Sequence, residues 1–178
     1  MLTLLRILSG LLLLVCILIG VAYLLPREIT VERDIVVEAP PEAVFPYVNS
    51  LKEMQAWNPW LDRDPDVQLT FDGPDAGVGA RMSWQSEQRD VGSGSQEIVE
   101  SVENERVISA LDFGDMGTAS ASLSLSAEGN GTRVTWGLVS DMGNNPVMRW
   151  MGLAMDGMVG GDYEAGLTKL KALLDGAG

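Results

Sequence analysis

Residues 118–128, TASASLSLSAE, leave the backbone little choice. Ala119, Ala121, Leu123, Leu125 and Ala127 alternate with Ser120, Ser122, Ser124 and Ser126. Successive side chains of a strand point to opposite faces, so this order makes a sheet with one dry face and one wet face. A helix would scatter the same residues around its circumference. Asn130-Gly131 then signals a hairpin, and Val134, Trp136 and Leu138 share one face of the returning strand. A sheet with one apolar face needs a cover, which must come from elsewhere in the chain.

Upstream, "ITVERDIVVEAP" is a β-branched run closed by a proline pair and reads as a strand. Pro41 suits the first turn of a helix, in which Ala43, Val44, Tyr47, Val48 and Leu51 lie on one side. "KEMQAWNPWLDRDPD" reads as a second short helix or turn. "VQLTF", "ARMSW", "SGSQEIVESV" and "NERVISALDF" add strands punctuated by Gly92, Gly94, Asn104 and Glu105. The order is strand, short helices, about six strands and a long helix. This is an α+β arrangement, with a space between sheet and helix.

The C-terminal helix begins near Pro146. Met148, Met151, Met155 and Met158 recur at steps of three, four and three, so they fall within roughly 80° of helical arc. Such a stripe is either a core face or an adaptable cavity wall, because methionine fits irregular neighbours. Gly160-Gly161 weakens the helix and predicts a kink there. Beyond it Tyr163, Leu167, Leu170 and Leu174 form a shifted apolar face.

Residues 7–25 contain no charge and are mostly apolar. A bilayer core of about 30 Å needs about 20 such residues in a helix. Pro26, Arg27 and Glu28 end the run, and bulky Tyr23, Leu24 and Leu25 stand where a signal peptidase would want small residues. The expectation is a transmembrane anchor over residues 1–26 and a folded domain over 27–178. Arg6 and the acid-free N-terminus favour an N-terminus inside. That makes a single-pass membrane protein of a bacterial inner membrane, with the domain facing the periplasm.

Composition narrows the chemistry. The net charge is −13, and every acidic residue follows Pro26. Such a domain is repelled by nucleic acid, which is excluded as a partner. There is no histidine, and the single cysteine, Cys16, lies in the apolar run. Ser-His and Cys-His catalysis and a His or Cys zinc site are ruled out in the folded part. "DRDPD" places Asp62, Asp64 and Asp66 at alternate positions but lacks the glycine and glutamate of a calcium loop. It reads as a solvated acidic turn, and no metal or cofactor is expected. Asp112, Asp141, Asp156 and Asp162 are the carboxylates nearest an interior. Asp162 falls within the methionine arc, where an apolar setting would raise its pKa and suit it to proton transfer, or it is a surface or capping residue. Arg81 is either a ligand anchor or one half of a surface ion pair.

Three segments together resemble a known family. They are the first strand running into "APPEAVFPYV", "WNPW" at Trp57–Trp60, and the "GVGA" turn at Gly77–Ala80. "GGDYEAGLTKLKALL" is similar to the same family's closing helix. The chain resembles the START-like superfamily, the polyketide cyclase/dehydrase and lipid transport group, over about residues 30–175. The resemblance implies a helix-grip fold, a curved antiparallel β-sheet around a long C-terminal α-helix, here preceded by one transmembrane helix. It also implies an apolar cavity between sheet and helix, and a hydrophobic small molecule or lipid as partner. On that reading the cavity is lined by Met148, Met151, Met155 and Met158 from the helix, and by Met82, Trp84, Phe113, Leu125 and Trp136 from the sheet. Trp57 and Trp60 either close its mouth or plug the short helices onto the sheet. Arg81 and Asp162 are its polar candidates. Binding is favoured over catalysis. The alternatives are a cyclase or aromatase using those polar residues, and an envelope protein-interaction module without a ligand.

Overall fold

The alternating segment is the sixth of seven strands in one antiparallel sheet. The computed structural model describes residues 2–176. Helix α1 (Leu2–Ala22) leads into β1 (Glu28–Val37), α2 (Pro41–Val48) and 3₁₀ turns at Glu53–Ala56 and Pro59–Asp62. Strands β2 (Gln68–Asp72), β3 (Arg81–Gln85), β4 (Ser93–Val102), β5 (Arg106–Asp112), β6 (Thr118–Glu128) and β7 (Gly131–Asp141) follow. Helices α3 (Pro146–Gly152) and α4 (Met155–Asp175) close the chain. The strand order β1-β7-β6-β5-β4-β3-β2 is a meander closed by the first strand pairing with the last.

Register sorts the residues onto two faces. Val31, Leu138, Ala121, Ser109 and Ile98 lie in one cross-strand row, and all of them are buried. The serines of β6 lie on the opposite face, as their alternation requires. Two parts cover the inner face. Helix α2 packs over β6 and β7, with Val44 and Val48 buried. Helix α4 packs chiefly on β1, the sheet edge, and on the Pro59–Asp62 turn.

Two expectations about local structure are corrected. The hairpin turn is Gly129-Asn130, not Asn130-Gly131, since Glu128 pairs with Gly131 across a two-residue loop. Gly129 supplies the positive φ, at 60°. Gly131 is needed for room, because a Cβ there would lie 2.2 Å from the Val37 carbonyl oxygen.

The C-terminal helix is not interrupted at Gly160-Gly161. It breaks earlier, at Leu153-Ala154, and α4 runs through both glycines. Gly160 instead lets Arg33 lie flat on the helix. A Cβ at 160 would stand 2.1 Å from an Arg33 guanidinium nitrogen. Arg33 thereby reaches Asp156 at 2.9 Å and Glu164 at 2.7 Å, on either side of that glycine. A charged side chain thus sits in the inner-face row of β1 because α4 brings two carboxylates over it.

Helix α1 is long and apolar enough to cross a bilayer, a property shared by secretion signals. Its end is tied to the domain. Arg149 of α3 is buried and donates to the carbonyl oxygens of Tyr23 (3.2 Å), Leu25 (3.3 Å) and Gly143 (3.0 Å). Its guanidinium also lies 5.5 Å from the centre of the Tyr23 ring.

Candidate functional site

The middle of the space between sheet and helix is occupied by the protein's own aromatic rings. Trp136 of β7 stacks on Tyr163 of α4 with centroids 3.9 Å apart and an interplanar angle of 6°. Trp57 and Trp60 meet Trp136 edge-on at 5.0 and 5.9 Å. Trp57 is fully buried, and its indole N–H donates to the Tyr47 carbonyl at 3.2 Å. The two tryptophans of "WNPW" therefore plug the short helical turns onto the sheet. Gly166 makes this possible, since a Cβ there would lie 2.8 Å from the Trp136 ring and 3.2 Å from Pro59. Desolvation within this cluster pushes the Tyr163 hydroxyl pKa well up.

The inner face opens at one end, the end from which α1 leaves. There the cross-strand row is Ile29, Ser140, Ala119 and Leu111, continuing to Gln96 and Met82. Ile29, Ala119 and Leu111 are only half-buried, one row away from the fully buried Val31 row. The reason is the position of α4. It covers the edge strand β1, which leaves the same end of β3 to β6 without a helix directly above. Trp84 and Phe113 form an edge-to-face pair there at 5.9 Å, and Trp84 lies across Gly94, whose missing Cβ would touch its ring at 2.6 Å. Met155 and Val159, in the first two turns of α4, also pack on the core while half-buried. The result is a strip of half-buried apolar side chains along this end of the inner face, with the aromatic stack deeper in the core.

Only part of the expected lining meets here. Trp84, Phe113 and Met155 are half-buried and Met82 is buried. Gln55 donates to the Met82 sulfur at 3.1 Å. Trp136 is sealed in the stack, and Leu125 is buried toward the other end of β6. Met148 is half-buried, whereas Met151 and Met158 are exposed, at 46% and 59%. The break at Leu153-Ala154 interrupts the helical periodicity, and with Met151 and Met158 exposed the four methionines do not form one wall.

The polar candidates are held in pairs and turns. Arg81 is adjacent to Met82 in β3 and so points to the other face, where it pairs with Glu97. An open trough of about 820 Å³ lies over that outer face, lined by Arg81, Glu97, Asp112, Asp141 and several serines, with Leu111 and Ala119 also on its lining. Asp162 is ion-paired with Arg63 across the gap between α4 and the chain after the Pro59–Asp62 turn. Lys169 and Asp62 pair beside it at 2.5 Å. Asp112 accepts from the Gly114 amide at 2.8 Å in a turn. Asp141 is held down to about 2, first by the Arg27 guanidinium at 2.7 Å and then by the Gly143 amide. Asp156 is likewise lowered by Arg33. A lowered carboxyl is a poor general acid at neutral pH.

The acidic turn is structural. Asp64 is buried and accepts from the Ser86 hydroxyl at 2.5 Å and the Asp66 amide at 3.0 Å. The residues sequence reasoning missed are Leu111, Ala119 and Val159. Ala119 was visible on the dry face of β6, but nothing in its alternation told the open end from the sealed one.

Comparison with known proteins agrees with this architecture. Among solved structures, the fold matches the Aha1 dimer of Colwellia psychrerythraea at 16% identity and TM-score 0.55, covering 83% of this chain and 96% of that one. A Mycobacterium smegmatis protein matches at 15% identity and TM-score 0.58, covering 84% and 93%. The di-domain ARO/CYC StfQ, from the steffimycin biosynthetic pathway, matches at 9% identity and TM-score 0.63. In that case 84% of this chain covers 51% of the larger protein. At these identities the likeness concerns the fold alone. No curated protein matches the sequence. The family model for polyketide cyclase / dehydrase and lipid transport matches residues 28–175, from the first residue of β1 to the last of α4. With that match across the whole sheet and its gripping helix, the chain belongs to the polyketide cyclase/dehydrase and lipid transport family.

Proposed function

We propose that the domain binds a hydrophobic small molecule or lipid in a half-open groove between β3–β6 and the start of α4. We further propose that α1 is a retained membrane anchor that holds the groove beside its lipid source. The observation that supports the reading is the row Ile29, Ala119 and Leu111, apolar and half-buried at the α1 end of the inner face, one row from the fully buried Val31 row. Burial of a ligand's apolar surface there contributes about 25 cal/mol per Å², before ordering costs. Catalysis has less support, because Asp141, Asp156, Asp162 and Arg81 are all engaged in ion pairs. The interaction-module reading draws its support from the aromatic cluster that fills the central space.

Lipid extraction from the purified full-length protein, read by mass spectrometry, tests the proposal. The wild type is expected to carry a defined apolar molecule. Ala119→Trp should reduce its occupancy at least about tenfold, a loss of about 1.4 kcal/mol in affinity, with an unchanged circular dichroism spectrum. An empty wild type, or full occupancy in Ala119→Trp, would count against it.

A further inference from the structure

From Met142 to Met155 the chain has no acidic residue, although it has 25 in all. The only charge in this stretch, Arg149, is turned inward and buried against backbone carbonyls. Val147, Trp150 and Met151 stand at i, i+3 and i+4 of α3, on one face, with Leu153 just beyond. All four are exposed, Val147 at 63% and Leu153 at 56%. On the other side Gly152 packs so closely on Ile29 that a Cβ would come within 2.9 Å of it. Helix α3 is thus amphipathic in an unusual sense. Its polar partner groups are inside the protein and its apolar face looks out.

We infer that this apolar face of α3 is seated in the headgroup region of the bilayer that α1 spans, which turns the groove mouth toward the lipid. The inference rests on the reading of α1 as a membrane span. Continuity with α1 identifies the occupant. The Trp150 indole N–H donates to the Leu18 carbonyl at 3.2 Å. Leu18 lies four residues before the end of α1, which is about 6 Å of helical rise. Trp150 therefore lies about one turn inside the end of α1, near the depth where tryptophan collects in membrane proteins. A soluble protein partner would have to approach around α1, whereas the bilayer is already there. The acid-free composition also removes the repulsion that the rest of this acidic domain would meet at anionic headgroups.

The test uses full-length protein in phosphatidylcholine liposomes and an environment-sensitive fluorophore on single cysteines. Native Cys16, exposed on α1, reports on the span. Met151→Cys and Leu153→Cys, each in a Cys16→Ser background, report on the seat, and Val78→Cys in a distant exposed loop is the aqueous control. The expected result is quenching of the Cys16 label by a nitroxide deep in the acyl chains. The labels at 151 and 153 should be quenched by a nitroxide near the headgroups, and several-fold less than the Val78→Cys label by aqueous iodide. Iodide access at 151 and 153 equal to the control, with Cys16 still buried, overturns the seating and leaves the anchor intact. Iodide access at Cys16 as well overturns both.

Discussion

Trp136→Ala is expected to lower the stability of the folded domain by about 3–5 kcal/mol, a large part of the 5–15 kcal/mol typical of a domain. Trp136 is 2% exposed and is the common partner of Trp57, Trp60 and Tyr163. Its removal leaves a cavity bounded by three rings, with Tyr163 carried on α4 and the two tryptophans held by bonds of their own. Trp57 is pinned by its bond to Tyr47, and Asn58 caps the turn that carries Trp60. None is free to collapse inward, so the cavity cost adds to the lost transfer energy. Trp84→Ala removes an equal side chain from the half-open groove and should cost distinctly less. Denaturant unfolding of the full-length protein in mild detergent measures both. Equal losses would mean that the groove is as tightly filled as the stack.

Gly166 and Gly161 should respond with opposite signs to the same added methyl. Both lie inside α4, where alanine is favoured over glycine by about 0.5–1 kcal/mol. At Gly161 nothing lies within 4 Å of the new Cβ, so Gly161→Ala should stabilise by about that amount. At Gly166 the Cβ meets the Trp136 ring at 2.8 Å and Pro59 at 3.2 Å. The stacked ring has no room to retreat, and overpacking of this kind costs about 1–3 kcal/mol. Gly166→Ala should therefore destabilise, and Gly166→Val more so. Midpoints from thermal unfolding monitored by tryptophan fluorescence give the sign of each. A stabilised Gly166→Ala would place α4 farther from β7 than described.

These glycines also show where the sequence stops being readable. The strands were legible because alternation in β6 and β-branched runs in β1 specify a pleated surface whatever lies nearby. Gly160-Gly161 is ambiguous in sequence, because glycine spacing is the same whether it loosens a helix or admits a neighbour. Only the tertiary partner, Arg33, separates the two, and it lies far away in the chain. The methionine pattern misled for a related reason. Helical periodicity holds only while the helix is continuous, and the break at Leu153-Ala154 is marked only by Gly152, whose tight packing on Ile29 is a tertiary matter. Arg81 and Met82 could not share a pocket once both were in β3, and that much followed from strand geometry alone. The groove itself was not legible. Its open end depends on α4 lying over the sheet edge rather than its middle, which is a matter of packing between distant segments.

Full-length protein in membranes supplied with a diazirine-bearing fatty acid can be irradiated, digested and mapped by peptide mass spectrometry. With an apolar ligand seated at the α1 end of the inner face, label is expected on residues 111–119 and 155–159, in addition to any lipid-facing label on α1. Label confined to α1, with none on the sheet or α4, would contradict it.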